Sequence, residues 1–286
     1  MRMRRVLVAT LATLLVGCTP AAEDRADDPA AGEETSMAPT ATTAAPVEAT
    51  PPPPAPRAGS CYRLTLRQAA RPTNDNPAIP CGRKHTARTI HVGSLDLVVD
   101  GHSLAVDSAR AQRQLRETCP GELDRFLGGD PERRALSRFQ VVWFSPSLEE
   151  SDLGSDWFRC DVIALGRGSR LLPLPPDGRL RGVLDSPAAL STFGLCGTAQ
   201  PGADDFERVA CALPHSWVAV STIAIGGDRY PGVTAVREAG EETCADRVRA
   251  ANEFVLEYRY GWEWPTAEQW RAGQRYGICW APKELA

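Results

Sequence analysis

Cysteine and histidine are the residues of this 286-residue chain best suited to redox, metal or nucleophilic chemistry, with nine of the first and four of the second. Eight cysteines fall into two sets of four: Cys61, Cys81, Cys119 and Cys160, then Cys196, Cys211, Cys244 and Cys279. Two histidines stand in the same relation to a cysteine, His85 four residues after Cys81 and His215 four residues after Cys211. An even number of matched cysteines reads first as a disulfide framework. As thiolates, each Cys-x-x-x-His pair would instead supply two ligands of a tetrahedral zinc, although structural zinc sites usually show two close ligand pairs and each set has one. A thiolate activated by histidine would be a nucleophile of the kind used by cell-wall cysteine peptidases. Against that reading, every cysteine of one set has a counterpart in the other, so no thiol is obviously left free. The framework is preferred, with no catalytic residue, metal or cofactor assigned. His85 and His215 then cap backbone carbonyls beside the disulfides, and they are the positions best placed for a pH-sensitive role. The carboxylates that could do acid/base work, Glu149, Asp152, Asp156 and Glu268, fall at capping or turn positions.

The neighbours of the cysteines match as well. Cys81 to Ile90 lies over Cys211 to Val220, and Trp143-Phe-Ser-Pro146 over Trp262-Glu-Trp-Pro265. From there no gap is needed to align Cys160 with Cys279, at a constant offset of 119 residues. The region is one unit written twice.

Each unit is predicted as a small α+β domain. A strand carries the first cysteine (Cys61 to Leu66), and a second surrounds the Cys-x-x-x-His segment, Val209 to Ile225 in the second unit. A helix holds the third cysteine, with Leu115, Cys119, Leu123 and Phe126 at helical spacing over Ser108 to Leu127, although Pro120-Gly121 interrupts the pattern. Aromatic strands follow at Phe139 to Phe144 and Phe254 to Trp264. Ser147 with Glu150, and Thr266 with Gln269, have capping-box spacing, and Gly154 and Gly273 suit a helix end. A last strand bears the fourth cysteine. Of the three pairings open to each unit, first with second joins neighbouring strands and third with fourth ties helix to final strand. Among the aromatics crowding the second unit, Tyr258, Tyr260 and Trp262 are the expected outward face, able to stack on sugar rings or dock a partner.

Residues 1–18 carry Arg2, Arg4 and Arg5, an apolar run from Val6 to Val16, then Gly17 and Cys18. This is a secretory signal, and its run is shorter than the ~20 residues a membrane-spanning helix needs. Its end resembles the bacterial lipobox, which implies lipidation of Cys18 and a membrane anchor on the extracytoplasmic face. Residues 19–58, rich in Ala, Pro and Thr with seven acids against two arginines, read as a disordered spacer. The whole chain has 32 cationic and 36 acidic side chains, which leaves residues 59–286 at a net charge of −2. Nucleic acid is therefore not the expected partner. The predicted organisation is residues 1–18 signal, 19–58 spacer, 59–166 first domain, 167–187 connection and 188–286 second domain.

Gly59-Ser60-Cys61, the two Cys-x-x-x-His segments, and Pro265-Thr-Ala-Glu-Gln-Trp270-Arg-Ala-Gly273 ahead of Cys279 resemble the septum-formation domain family of high-GC Gram-positive bacteria. The second unit resembles it more closely, since Lys84 replaces the usual proline before His85 and Ser151 stands where the second unit has Trp270. The resemblance implies an extracytoplasmic, often lipid-anchored protein linked to septum formation, and transfers no catalytic residue. The expectation is a non-enzymatic envelope lipoprotein whose two stapled modules bind another envelope protein or cell-wall component. The alternative is a wall-active enzyme, or a zinc- or ligand-sensing module built on the Cys-x-x-x-His segments.

Overall fold

The computed structural model describes residues 51–176, 179–251 and 258–285. The signal, Cys18 and residues 19–50 of the spacer lie outside the described residues, as do two positions of the connection.

The first copy contains β1 (Cys61–Tyr62), α1 (Leu66–Ala69), β2 (Ala87–Ser94), the small hairpin β3 (Val98–Val99) and β4 (His102–Ser103), α2 (Ala109–Leu127), α3 (Pro131–Ala135), β5 (Phe139–Phe144), α4 (Leu148–Asp152) and β6 (Trp157–Ala164). The second contains α5 (Leu190–Phe193), β7 (Leu195–Gly197), β8 (Arg208–Ala210), β9 (Trp217–Ala224), α6 (Val233–Ala251), β10 (Gly261–Glu263), α7 (Ala267–Arg271) and β11 (Tyr276–Pro282). This is an α+β fold of antiparallel sheets stapled by disulfides.

The two copies repeat one strand order. The first sheet runs β1-β2-β6-β5, and the second runs β7-β9-β11-β10 with β8 added outside β7. Even irregularities are duplicated: the β2–β6 ladder slips at Ile90 and the β9–β11 ladder at Val220, each five residues after its histidine. An extra residue at such a bulge locally increases twist, so the same strand is bent at the same place in both copies. In place of β8, the first copy has a single bridge between Ile79 and Cys61.

Sequence and structure part at several places. The predicted strand Cys61 to Leu66 ends at Tyr62, because Thr65 and Gln68 form a capping box that starts α1 at Leu66. Cys81 to His85 and Cys211 to Ser216 are turns, so β2 and β9 begin after the histidines and the predicted strand Val209 to Ile225 is split. Helix α2 runs through Pro120. Proline removes one backbone hydrogen bond there, but Leu115 and Cys119 before it and Phe126 after it are all buried against the sheet. Packing on both sides outweighs the local break. Of the predicted strand Phe254 to Trp264, positions 254–257 lie outside the described residues, and among the described ones the ladder spans Gly261–Glu263.

The capping boxes form as predicted. Ser147 Oγ accepts from the Glu150 N–H while the Glu150 carboxylate accepts from the Ser147 N–H, and Thr266 and Gln269 do the same. Gly154 and Gly273, at φ of 101° and 100°, then supply the left-handed residue that releases the chain toward β6 and β11.

The four disulfides are Cys61–Cys81, Cys119–Cys160, Cys196–Cys211 and Cys244–Cys279. The first and third staple the opening strand to the histidine turn; the second and fourth staple the long helix to the last strand. Residues 51–285 belong to one compact unit. The Leu195 N–H donates to Leu136 O and the Arg138 N–H to Phe193 O, both at 2.7 Å. Beneath these bonds Leu136 of the first copy packs with Leu195, Trp217, Ile278 and Trp280 of the second.

Candidate functional site

The two histidine turns are built alike but exposed differently. His85 Nδ1 lies 2.9 Å from Arg83 O and His215 Nδ1 lies 2.7 Å from Leu213 O. A carbonyl can only accept, so each Nδ1 carries its proton and each imidazole caps a backbone group of its own turn. His85 is 1% exposed, because the connection folds back and its Leu174 N–H donates to His85 O. His215 is half-buried. The sulfurs of Cys81 and Cys211 are spent in disulfides, so in this oxidised structure neither pair offers a thiolate to a metal. Among the described residues no three His, Cys, Asp or Glu side chains are grouped to hold a metal ion. Glu149 and Glu268 lie in the first turns of α4 and α7, where a negative charge favours the helix start. Asp152 and Asp156 are exposed around the turn that follows α4.

Tyr258, Tyr260, Trp262 and Trp264 alternate along one extended segment and therefore share a face. That face is the one covered by α6, so the structure turns Trp262 inward instead of outward. Its ring lies against Gly240 of α6 and Gly277 of β11, both of which lack the Cβ that would collide with it, and its Nε1–H donates to Val236 O at 3.3 Å. Tyr258, Tyr260 and Trp264 reach the rim of this core and stay half-buried. The two tyrosine rings stack at 6.4 Å. Arg249 lies over the Tyr258 ring and donates to its hydroxyl, while burial and the nearby Glu241 raise the Tyr260 pKa.

Beside this rim lies an open cleft of about 250 Å³ lined by Pro201, Gly202, Trp262, Glu263 and Trp264. Glu263 is held rigidly: Oε1 accepts from Arg208 Nη2 at 2.8 Å and Oε2 from Trp280 Nε1 at 3.1 Å. The cleft thus presents an indole and a proline ring next to a fixed carboxylate, a surface suited to flat, apolar faces flanked by hydroxyl or amide donors. Trp264 is one of the aromatics crowding the second unit in the sequence, whereas Pro201 and Glu263 carry no such signal. The period-2 row from Tyr258 was the available signal, but it could not say which end of the row emerges from under the helix.

A second group escaped the sequence reading entirely. Arg159 and Asp161 are 3% and 0% exposed on β6, and their charged ends lie 3.4 Å apart. Thr89 Oγ1 donates to Asp161 Oδ1 at 2.7 Å. The Arg159 guanidinium is sandwiched by Tyr62 at 3.9 Å and Phe144 at 4.7 Å. Burial raises the Asp161 pKa to about 6, against the lowering effects of Arg159 and the Thr89 hydrogen bond. At the same positions the second copy has Ile278, Trp280 and Ala219. Two charges inside the otherwise apolar run of β6 were the visible signal.

A larger cleft, about 600 Å³, lies where Gly166 to Leu172 passes Glu207, Leu213 and Pro214. Its carboxylate is already engaged, since Glu207 accepts from Arg167 Nε at 2.7 Å and the Gly168 N–H at 2.8 Å. These bonds lower the Glu207 pKa.

The septum formation family matches residues 58–279, which is most of the chain and covers both copies. The chain belongs to the septum formation family. That membership relates it to septum formation. Neither the curated proteins nor the solved structures give a match. Among the described residues no helix is long and apolar enough to cross a membrane.

Proposed function

We propose that this chain is a non-enzymatic lipoprotein, tethered through Cys18 on the outer face of the cell membrane, that binds a cell-wall component during septation. The observation that carries the reading is the aromatic rim and cleft of the second copy, where Trp264, Tyr258 and Tyr260 remain half-open beside Pro201 and a fixed Glu263. Peptidoglycan presents the matching chemistry, sugar rings with apolar faces for an indole and amides and hydroxyls for a carboxylate. The disulfide framework supports an oxidising, exported setting. The spacer gives reach, at ~3 Å per residue in its proline-rich stretches.

The test is co-sedimentation of the oxidised protein with purified peptidoglycan sacculi. Truncating an aromatic anchor typically costs a factor of about ten in affinity, so Trp264→Ala is expected to weaken binding by that amount while the far-UV spectrum is unchanged. Binding equal to that of the parent protein overturns the site. Soluble muropeptides released by the protein overturn the non-enzymatic role. Cys18→Ser is expected to free the protein from the membrane.

A further inference from the structure

Strand β5 closes one side of the first sheet, and among the described residues no strand pairs with its outer edge. Its register fixes which groups face that edge. The Leu165 N–H donates to Arg138 O, so by alternation Gln140, Val142 and Phe144 direct their backbone groups to β6. The N–H and C=O of Val141 and Trp143 therefore point away from the sheet. The strand reads Phe-Gln-Val-Val-Trp-Phe, with no charge and no proline to guard it. Natural proteins usually protect such an edge, because a row of free backbone groups is a template for another strand. The corresponding edge in the second copy is only the three residues of β10. It is partly closed, with Pro201 packed on Gly261 and Gln200 Nε2 donating to Tyr260 O at 3.3 Å.

A groove of about 300 Å³ follows the β5 edge. Gln112 of α2 stands on one wall, and Ala69, Ala70, Arg71 and Pro72 form the other. Val141 and Trp143 pack toward α2, while Val142 packs toward the α1 layer, so both faces of the edge are walled. Small alanines leave room beside the strand. Among the described residues Arg71 is the one charged side chain lining the groove; it is exposed, and the exposed Arg116 stands one turn along α2 from Gln112.

We infer that the outer edge of β5 is a docking groove for an extended acidic segment of a partner protein, which joins the first sheet as a fifth strand. Ladder hydrogen bonds to Val141 and Trp143 supply affinity, alternate side chains of the segment enter the space over Ala69 and beside Gln112, and an acidic residue meets Arg71. The inference rests on the binding-module reading and adds a second surface, in the other copy, with a different class of ligand.

The test pans the oxidised full chain against displayed random peptides about ten residues long, the length of a long strand. The selected peptides are expected to carry an acidic residue within an alternating apolar pattern and to slow hydrogen exchange at the Val141 and Trp143 amides. Val141→Pro removes an outward N–H without touching the β6 ladder, so it is expected to leave the fold intact and weaken peptide binding at least about tenfold. Arg71→Glu is expected to weaken acidic peptides and spare their neutral analogues. Failure to recover peptides, protection at some other surface, or unchanged binding by Val141→Pro overturns the inference. So does finding the two amides already protected in the free chain, which would mean that the spacer or a second copy covers the edge. Trp264→Ala separates this inference from the wall-binding proposal. Loss of sacculus binding with peptide binding intact leaves both standing, and intact sacculus binding removes the cleft proposal alone.

Discussion

The buried carboxyl of Asp161 should make the protein less stable as pH rises through the mildly acidic range. Its folded-state pKa is raised from the ordinary 3.8 to about 6, so the folded state holds a proton that the unfolded state has released. The contribution of Asp161 to stability therefore falls with rising pH between those two values and is level on either side of them. Each pH unit of that interval corresponds to ~1.36 kcal/mol, so the site withdraws about 3 kcal/mol between pH ~4 and pH ~6. The physical cause is desolvation, the largest influence on the group, which outweighs the attraction of Arg159 at 3.4 Å and the hydrogen bond from Thr89. Asp161→Asn mimics the protonated form and can still accept from Thr89 Oγ1. The variant is expected to match the parent protein near pH ~4, to lack the decline, and to be more stable by up to about 3 kcal/mol near pH ~7.5. Urea unfolding of the oxidised protein across this range, followed by tryptophan fluorescence, measures the difference. A variant that is less stable than the parent at pH ~7.5, with stability rising toward neutrality, would show that the ion pair outweighs desolvation and refute the reasoning.

Other expectations follow from the staples and the core. Replacing both cysteines of the Cys119–Cys160 bridge, separated by 41 residues, should cost about 4 kcal/mol, against about 3 for the 15-residue Cys196–Cys211 bridge; thermal unfolding of the two double-alanine variants tests that order. Gly277→Ala places a methyl 2.0 Å from the Trp262 ring, so it should destabilise by about 1–3 kcal/mol and alter the near-UV spectrum of the indole. Thr266→Ala removes one half of the capping box that launches α7 and should cost about 1 kcal/mol in chemical denaturation.

The parts of the fold legible in the sequence were those fixed by local chemistry. A capping box is a four-residue geometry, so Ser147 with Glu150 and Thr266 with Gln269 could be recognised without tertiary information. The disulfide pairing followed from which neighbouring elements carried cysteines. What stayed hidden depended on which surface each face would meet. Trp262 belongs to an alternating aromatic row, but the direction of its face is decided by α6, where Gly240 makes the space for its ring. Pro120 signals a helix end, yet α2 continues because residues on both sides of it are anchored to the sheet.

The duplication makes this point sharper, because equivalent faces of the two sheets meet different environments. In the second copy the face bearing Trp217, Ile278 and Trp280 receives Leu136 from the first copy, and its charged pair, Arg208 with Glu263, lies half-buried beside Trp280. In the first copy the same face is roofed by its own residues, including Leu64 and Ala69, and accommodates the Arg159–Asp161 pair beneath Tyr62 and Phe144. At the positions of Arg159 and Asp161 the second copy has Ile278 and Trp280, which pack with Leu136 where the copies join. The edges diverged in the same way. The second copy closed the flank of β10 with Pro201 and placed its half-open aromatics at the rim, whereas the first kept a six-residue uncharged edge with Arg71 beside it. If the proposed cleft and edge both bind, the two copies present surfaces of different chemistry on one stapled body, and loss of one ligand by Trp264→Ala with the other retained is the outcome that such a division predicts.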